Sequence, residues 1–337
     1  MKIKVAQIGV GYWGPNLLRN LVQNPNFDIK TVVDISSNRR EFVASLYPFL
    51  NISDNEEDIF SNTEEIDAVV IATPLKSHFE LSIRALNAGK HILVEKPMVR
   101  KLEEIEEIDV VAKKNDLVAM VGHTFLYNPA VIAVKKIIDS GELGDIRYIY
   151  SQRVNLGRIR SDVDALWNLA PHDVSIVQYW LGEAEPISVK RTGMAYVQPD
   201  IEDVSFLNIK YPNNILVNIH VSWLDPQKVR RMTVVGSEKM VVYDDLSENK
   251  VTLFDKGIDR MAILGENMDF DQIDSNSFNH RSGSIKNIEI DWEEPLKIEI
   301  DHFAESILQG TICRTGIEHA KQVIQILQAG SVVRSSI

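Results

Sequence analysis

The feature that most constrains the fold is an alternation of short apolar runs with longer amphipathic segments over residues 1–122. The runs are rich in β-branched side chains and have no polar alternate face, which is typical of strands covered on both sides by helices. The segments between them have helical spacing, with Leu102, Ile105 and Ile108 opposite a row of glutamates. We therefore predict a doubly wound parallel sheet with the strands Lys2–Ile8, Ile29–Val33, Ala68–Ala72, His91–Val94 and Leu117–Val121.

Beyond residue 122 the apolar pattern changes to a period of two. From Ile215 to Trp223, β-branched or aromatic residues occupy every second position, and this series suits either a helix-covered core or a subunit contact. Turn residues, including Asp225-Pro226, separate it from similar runs. We predict an open-faced, largely antiparallel β-sheet, with further strands at Ile146–Val154, Ile187–Ala195, Val204–Tyr211, Val229–Val235 and Met240–Asp244.

The change of pattern divides the chain into two predicted domains, 1–122 and 123–337. Residues 255–290 have weak periodicity and receive no element. Helices in the second domain are predicted at Ala130–Asp139, Asp173–Leu181, Ile298–Leu308 and Ile317–Val333. We expect the last two helices to pack back on the first domain.

The charge balance excludes some classes of partner. Lys and Arg total 36 against 48 Asp and Glu, a net charge of −12. Binding a nucleic acid or an anionic membrane needs a surplus of cations, so neither is expected. The single cysteine, Cys313, and the lack of a Cys/His grouping predict no internal disulfide and no zinc site. Without a signal sequence or a long apolar run, we expect a cytoplasmic protein.

Gly9-Val10-Gly11-Tyr12-Trp13-Gly14 directly follows the first predicted strand and opens a helix. The glycines allow a tight turn, close approach to a pyrophosphate and close helix–strand packing, and the helix N-terminus favours the anion. Asp34, 20 residues after Gly14, follows the second strand. A carboxylate there binds the adenosine ribose and repels a 2′-phosphate, although it would also cap a turn. This arrangement predicts a Rossmann domain that binds NAD in preference to NADP.

Two residue pairs bear on that prediction. Arg39 and Arg40 could receive a 2′-phosphate, but we place them on the exposed side of the next helix. Tyr12 and Trp13 either stack near the cofactor or are ordinary packing at a helix start.

Two clusters concern chemistry. Glu95-Lys96-Pro97 follows the strand His91–Val94, at the sheet edge where ligands of doubly wound folds bind. The segment Trp167–Asp173 leads into a predicted helix, and its Asn168 and His172 share a face if the first turn is already helical. Asn168 is equally suited to be the helix N-cap, with Pro171 in the first turn. His172 could be a satisfied polar residue of an apolar helix.

Over nearly its whole length the sequence resembles the Gfo/Idh/MocA oxidoreductase family. The resemblance rests on the glycine motif, Glu95-Lys96-Pro97, Gly122-His123 with Tyr127-Asn128-Pro129, and the segment Asn168 to His172. Within the family it is most similar to the sugar-nucleotide branch, whose members oxidise C3 of UDP-N-acetylglucosamine-type sugars or their uronic acids. The resemblance implies a dehydrogenase that transfers hydride from a secondary hydroxyl to NAD.

The resemblance also implies residue roles. Lys96 would bind the reacting hydroxyl and stabilise negative charge on its oxygen, His172 would be the general base, and Pro97 would hold Lys96 in place, often through a cis peptide. The family's usual aspartate is Asn168 here, which cannot take a proton but can orient a substrate hydroxyl. His123 either lines the nicotinamide pocket or binds a strand end.

The predicted site combines these residues. The cofactor contacts are Gly9, Gly11, Tyr12, Trp13, Gly14, Asp34, Thr73, Pro74, His78, Glu95 and Lys96. The substrate contacts are Lys96, His123, Arg158, Arg160, Asn168 and His172, of which Lys96, His172 and Asn168 are catalytic candidates. Arg158 and Arg160 are favoured for a diphosphate over Lys228, Arg230 and Arg231, because alternating charges on a strand are more often solvated.

Other functions are compatible with the same residues. A free polyol or sugar, such as an inositol, would undergo the same chemistry without a need for Arg158 and Arg160. A non-catalytic NAD-binding sensor would explain Asn168, but it has no chemical need for both Lys96 and His172. In the family, the open sheet face pairs subunits, so a homodimer or homotetramer is expected.

Overall fold

A parallel sheet occupies the N-terminal part of the computed structural model, which describes residues 2–61, 65–260 and 278–330. Its strands are β1 (Ile3–Ile8), β2 (Phe27–Val33), β3 (Asn51–Ser53), β4 (Ala68–Ile71), β5 (His91–Glu95) and β6 (Ala119–Gly122). They lie in the order β3-β2-β1-β4-β5-β6, and every neighbouring pair is parallel. Val5, Val69 and Val70 are inaccessible to solvent, as a sheet covered on both faces requires. The predicted doubly wound sheet is confirmed.

The helices bury an apolar stripe, as their spacing indicates. They are α1 (Gly14–Gln23), α2 (Ser37–Leu46), α3 (Glu57–Phe60), α4 (His78–Asn87), α5 (Leu102–Lys114), α6 (Pro129–Asp139), α7 (Ala165–Trp180), α8 (Pro295–Gln309) and α9 (Ile317–Ala329). In α5, Ile105, Ile108 and Ala112 are buried. The last helix was predicted to reach residue 333, and the end of that prediction lies outside the described residues. The short elements β3 and α3 have too little periodicity to be predicted.

A second sheet contains β7 (Ile146–Leu156), β8 (Ser188–Met194), β9 (Val204–Lys210), β10 (Leu216–Ser222), β11 (Leu224–Gly236), β12 (Met240–Asp244), β13 (Val251–Arg260) and β14 (Phe278–Asn287). They lie in the order β14-β13-β12-β11-β7-β10-β9-β8. The β7–β10 pair is parallel and the other pairs are antiparallel, which confirms a largely antiparallel sheet. Part of the weakly periodic segment 255–290 therefore forms strands, and residues 261–277 lie outside the described part.

The two faces of this sheet differ. Val217, Ile219 and Val221 are inaccessible to solvent and Trp223 is 1% exposed, so the apolar series belongs to the core and not to a subunit contact. Of the residues between them, Leu216 is exposed and Asn218 and His220 are half-buried, whereas Ser222, at the end of the strand, is buried. Period-two burial of this kind is what an open-faced sheet requires.

Helix α7 begins earlier than predicted. It starts at Ala165, eight residues before the predicted Asp173, and Pro171 lies inside it. The Asp164 carboxylate accepts the Trp167 backbone N–H at 2.8 Å and so caps the first turn. The interpretation of Asn168 as the N-cap is therefore wrong, because its own N–H already donates to the Asp164 carbonyl.

Asp225-Pro226 does not form a turn between strands. Both residues lie within β11, whose register with β7 shifts between Leu224 and Val229. Proline lacks the N–H that a regular ladder needs, and a β-bulge accommodates it. The turn prediction at this dipeptide is wrong for that reason.

The chain groups into two compact units. The first comprises Met1–Asn128, Val174–Tyr179 and Trp292–Ile337, and the second comprises Pro129–Asp173 and Trp180–Asp291. Within the first unit, α9 contacts α5 and β6, and α8 contacts α1. The domain boundary predicted after residue 122 stays a prediction. In the described residues, we find no helix with the length and apolarity needed to cross a membrane.

Candidate functional site

The glycine loop after β1 is shaped by close backbone contacts. Gly9 has φ +94°, and a Cβ there would lie 2.6 Å from the Ala72 carbonyl oxygen. A Cβ at Gly14 would lie 2.5 Å from the Gly9 carbonyl oxygen. The buried Gln7 side-chain amide donates to the carbonyls of Gly9 and Gly14, both at 2.9 Å. Side chains are therefore sterically excluded at these two glycines.

Gly11 differs from the other two glycines. A Cβ built on it would meet no described atom within 4 Å, so the main chain is open to a ligand there. Helix α1 starts three residues later and, in the described part of the chain, its N-cap residue Trp13 makes no side-chain capping bond. An open glycine before an uncapped helix N-terminus is the arrangement that binds a pyrophosphate.

Asp34 stands at the end of β2 beside this loop. Its Oδ2 accepts the Val10 N–H and its Oδ1 accepts the Ser36 N–H, each at 2.8 Å. Asp34 thus caps the following turn and also ties that turn to the glycine loop. A carboxylate oxygen has more than one acceptor site, so both oxygens keep capacity for ribose hydroxyls.

Arg40 is closer to the Asp34 turn than predicted. It is half-buried on α2 and donates to the Asp34 carbonyl at 2.8 Å, with Asp54 at 3.3 Å from its guanidinium. The prediction that both arginines lie on the exposed side of the helix is therefore wrong for Arg40, whose partners draw it inward, whereas Arg39 is exposed.

The aromatic pair of the loop faces solvent. Tyr12 is 88% exposed and Trp13 is 38% exposed. Ordinary core packing therefore does not explain them, and both are accessible to a bound ligand.

His78 connects two of the loops that follow strands. The ring is 2% exposed, with Nε2 2.8 Å from the Thr73 carbonyl and Nδ1 3.0 Å from the Pro97 carbonyl. Burial lowers the pKa of His78, while the two carbonyls act in the opposite direction. The ring thereby holds the loop that starts at Thr73 and Pro74 against the loop that contains Lys96.

Glu95 and Lys96 end strand β5. Burial raises the pKa of Glu95 to about 7, and the positive charge of Lys96 acts in the opposite direction. Glu95 pairs with Gly122 of β6, where a Cβ would come within 3.2 Å of the Glu95 carboxylate. The Lys96–Pro97 peptide is cis. A carboxylate that titrates near neutral pH therefore lies directly beside the proposed catalytic lysine.

His123 lies in the same unit and is 2% exposed. Its ring meets the His319 ring edge-on at 5.4 Å, and its Nδ1 has no hydrogen-bond partner among the described residues. Burial, followed by His319 and Lys96, places the pKa of His123 well below its usual range. The ring is therefore neutral and packed against another imidazole.

Glu299 is a functional candidate that sequence reasoning missed. This carboxyl is fully buried, and its Oε2 accepts the Thr124 hydroxyl at 2.8 Å. Burial, with a smaller contribution from Glu95, raises the pKa of Glu299 well above its usual range. The sequence does contain a signal for it, because Glu299 lies on the apolar face of α8 with Leu296 and Ile300, where a carboxylate is unusual.

In the second unit, Asn168 and His172 lie one turn apart on α7, so they share a face as predicted. Both are half-buried. The Trp223 indole N–H donates to Asn168 Oδ1 at 3.2 Å. Next to His172, the buried Asp173 accepts Arg153 Nε and the Ser151 hydroxyl, both at 2.7 Å.

The predicted diphosphate contacts lie on the segment after β7. Arg158 is exposed, and so is Arg160, which forms a two-bond pair with Asp162 at 2.9 and 2.6 Å. Among the cations considered as alternatives, Arg230 pairs with Asp245 at 3.2 Å. A diphosphate at Arg160 would have to compete with Asp162.

Two models of one protein family match this chain. One, an oxidoreductase family with an NAD-binding Rossmann fold, matches residues 3–123, and the other, the GFO/IDH/MocA C-terminal domain, matches residues 131–242. The chain belongs to the Gfo/Idh/MocA oxidoreductase family. The matched domain is an NAD-binding Rossmann fold, and the open backbone at Gly11 and the carboxylate of Asp34 fit NAD.

Relatives of this Gfo/Idh/MocA protein act on different substrates. It is 27% identical to scyllo-inositol 2-dehydrogenase (NAD(+)) of Bacillus subtilis (strain 168), over 92% of this chain and 87% of that enzyme. It is 29% identical to UDP-N-acetylglucosamine 3-dehydrogenase of Acidithiobacillus ferrooxidans, over 57% of this chain and 60% of the relative. The solved structure of the latter, GnnA, shares the fold with a TM-score of 0.78 and 22% identity, covering 97% and 96% of the two chains. Both an inositol and a UDP-sugar are thus substrates of relatives.

Proposed function

We propose that the protein is an NAD-dependent dehydrogenase that oxidises a secondary sugar hydroxyl, at C3 of a UDP-N-acetylhexosamine or its uronic acid. One observation carries the proposal. The glycine loop, Asp34 and Lys96 follow β1, β2 and β5 of one parallel sheet, and the carboxyl ends of parallel strands meet at one edge. A cation that can bind a hydroxyl therefore stands at the same edge as the cofactor loop.

The chemistry divides between the cofactor and the side chains. Bound NAD supplies the hydride acceptor. Lys96 donates a hydrogen bond to the reacting hydroxyl and stabilises the negative charge that develops on its oxygen. His172 takes the hydroxyl proton, because a neutral imidazole is a base near physiological pH. His78 positions the Lys96-Pro97 segment through the Pro97 carbonyl.

The cofactor side favours NAD. The Asp34 carboxylate would repel a 2′-phosphate, and Arg40 is engaged with the Asp34 carbonyl and near Asp54. Tyr12 and Trp13 are exposed beside the glycine loop and would stack against the cofactor.

The UDP-sugar assignment is supported by the UDP-N-acetylglucosamine 3-dehydrogenase relative and by the exposed Arg158 and Arg160. The scyllo-inositol dehydrogenase relative, which covers more of the chain, favours a free polyol as the second candidate. NADH formation from UDP-N-acetylglucosamine, its uronic acid and scyllo-inositol, each with NAD, separates the two. Turnover of the UDP-sugars is expected, and turnover of scyllo-inositol alone would contradict the proposal.

The role of the two arginines has its own test. Charge reversal of both Arg158 and Arg160 is expected to raise KM for the UDP-sugar, because a diphosphate would face two carboxylates. Arg147→Glu, at another exposed arginine of the same unit, is the matched control. An unchanged KM in the double variant would remove these residues from the site.

We further propose that the open face of the second sheet pairs subunits into a homodimer or homotetramer. Tyr148, Tyr150, Phe206 and Leu216 are 36–45% exposed and share this face through the β7–β10 and β9–β10 registers. An exposed apolar patch of this kind is typical of an interface. Sedimentation at micromolar concentration should show an oligomer, and a monomer would contradict the proposal. We also propose that the chain divides into domains 1–122 and 123–337 and that the protein is cytoplasmic.

A further inference from the structure

His78, the first residue of α4, bridges two loops of the first unit. Its Nε2 lies 2.8 Å from the Thr73 carbonyl oxygen, on the loop after β4. Its Nδ1 lies 3.0 Å from the Pro97 carbonyl oxygen, on the loop after β5. Both are hydrogen-bond distances, and the ring is only 2% exposed, so bulk water does not compete for its nitrogens.

The two contacts require more protons than a neutral imidazole carries. A carbonyl oxygen only accepts hydrogen bonds, and a neutral imidazole has one N–H group and one bare nitrogen. In either neutral tautomer, therefore, one contact is a hydrogen bond and the other sets a nitrogen lone pair against an oxygen. An imidazolium donates from both nitrogens, so both contacts become charge-assisted hydrogen bonds.

The surroundings of the ring oppose a positive charge. Burial lowers the pKa of His78, and the charge of Lys96, on the loop after β5, acts in the same direction. The main chain at Thr73, Pro97 and Met98 raises the pKa, but the net shift is downward. The N-terminus of α4 carries a partial positive charge, which also disfavours an imidazolium. With no anion nearby, His78 is therefore neutral at about pH 7 and donates to only one of the two carbonyls.

The Thr73 side of the bridge packs against the glycine loop. A Cβ built on Gly9 would lie 2.6 Å from the Ala72 carbonyl oxygen and 3.0 Å from the Thr73 nitrogen. The Ala72 N–H donates to the Ile8 carbonyl at 2.8 Å, which extends the pairing of β1 and β4 to this point. The pyrophosphate of NAD, held by the glycine loop, would bring negative charge to the same loops. A nearby anion favours the charged form of an imidazole.

We infer that His78 is a positioning residue that takes up a proton when NAD binds and then holds the Thr73 and Pro97 carbonyls at the same time. The proton comes from solvent, so cofactor binding and proton uptake are coupled. The doubly bonded ring fixes the peptide after Lys96 relative to the loop beside the cofactor. This role goes beyond the proposed function, because it depends on NAD alone and is the same for a UDP-sugar and for a polyol.

Calorimetric titration of the protein with NAD counts the protons taken up, when it is repeated at one pH in buffers of different ionisation enthalpy. At about pH 7 we expect net uptake of roughly half a proton for each NAD bound. A group whose pKa is raised by a ligand favours binding at low pH, so the Kd should rise about 3- to 10-fold from about pH 6 to about pH 8. Binding without proton uptake would overturn the inference.

A variant assigns the proton, since Glu95 also titrates near neutral pH. His78→Gln keeps one donor at this position but cannot take up a proton. The control His91→Gln replaces another partly buried ring of the same unit, whose Nδ1 accepts the Val118 N–H at 2.9 Å. We expect uptake to fall to near zero in His78→Gln and to be unchanged in His91→Gln. Uptake that persists in His78→Gln would assign the proton to another group, and the inference would be wrong.

A spectroscopic measurement tests the wild-type protein directly, whether or not His78→Gln folds. Nitrogen NMR on protein labelled at histidine distinguishes protonated ring nitrogens from bare ones. At about pH 7, both ring nitrogens of His78 should carry a proton with saturating NAD, and only one should do so without it. The same protonation state with and without NAD would contradict the coupling.

Discussion

The glycine loop after β1 and helix α7 are stabilised in different ways. The loop is held by backbone contacts, with Gln7 and Asp34 bonding to main-chain groups and no room for a Cβ at Gly9 or Gly14. Helix α7 is held by side chains from distant strands, through Arg153–Asp173 and Trp223–Asn168. A backbone loop suits a constant ligand such as a pyrophosphate. A helix surface oriented by buried side chains can change its recognition chemistry without a change of fold.

We expect the largest loss of stability when the buried ion pair between Asp173 of α7 and Arg153 is broken. Asp173→Asn removes the carboxylate charge that is hydrogen-bonded to Arg153, and the two side chains are only 1% and 6% exposed, respectively. We expect a loss of about 3–5 kcal/mol in the free energy of unfolding, measured by denaturant titration. The control is Asp162→Asn, which breaks the exposed Arg160–Asp162 pair and should cost at most about 1 kcal/mol. Equal losses in the two variants would show that long-range side-chain contacts do not hold α7.

The glycine loop offers a matched pair of smaller changes. Gly9→Ala places a Cβ 2.6 Å from the Ala72 carbonyl at φ +94°, so we expect it to cost about 2–3 kcal/mol of stability. Gly11→Ala meets no described atom within 4 Å and should leave the melting temperature unchanged. It should nevertheless weaken NAD binding by about tenfold or more, because the methyl group stands where the pyrophosphate approaches. Unchanged NAD affinity in Gly11→Ala would contradict the placement of the cofactor.

The strands around the cofactor loop show why this part of the fold could be predicted. Short runs such as Ala68–Ile71 are apolar throughout, and the glycines and Asp34 act through nearby backbone, so their signals are local in the sequence. The start of α7 could not be predicted in the same way. Its cap is Asp164, and Pro171 suggested a later start because proline is commonest in the first turn. The bulge at Asp225-Pro226 depends on pairing with a distant strand, which no local pattern shows.

The residues of the candidate site also differ in whether a local sequence pattern reveals them. The proposed roles of Lys96 and His172 rest on the family resemblance. The burial of Glu299 and the contact of Asn168 with Trp223 depend on residues far apart in the chain. Arg160 and Asp162 are only two residues apart in the sequence. Only the structure shows that the Nε and Nη2 groups of Arg160 both donate to the Asp162 carboxylate.

The smallest expected effect is a pH dependence of the stability that arises from the Glu95 carboxyl. Its pKa is raised to about 7 in the folded protein, so the wild-type protein loses stability as the pH rises from about 4.5 to 7. Glu95→Gln should match the wild type near pH 4.5 and become more stable than the wild type as the pH rises to 7 and above. An inflection of kcat/KM near pH 7 should also disappear in this variant.

Glu107→Gln, at an exposed position of α5, is the control for Glu95 and should show neither change. A constant stability difference between Glu95→Gln and the wild type at every pH would mean that Glu95 does not titrate near neutrality.

The most direct test of the account is the rate of NADH formation from UDP-N-acetylglucosamine by the wild-type protein and Lys96→Met. Lys101→Met, at an exposed lysine of the same unit, is the control. The account predicts turnover by the wild type and the control, and a kcat about 10²–10³-fold lower in Lys96→Met. NAD affinity should fall far less than kcat, because the glycine loop and Asp34, which supply most of the predicted cofactor contacts, are untouched. Near-wild-type turnover by Lys96→Met would contradict the account.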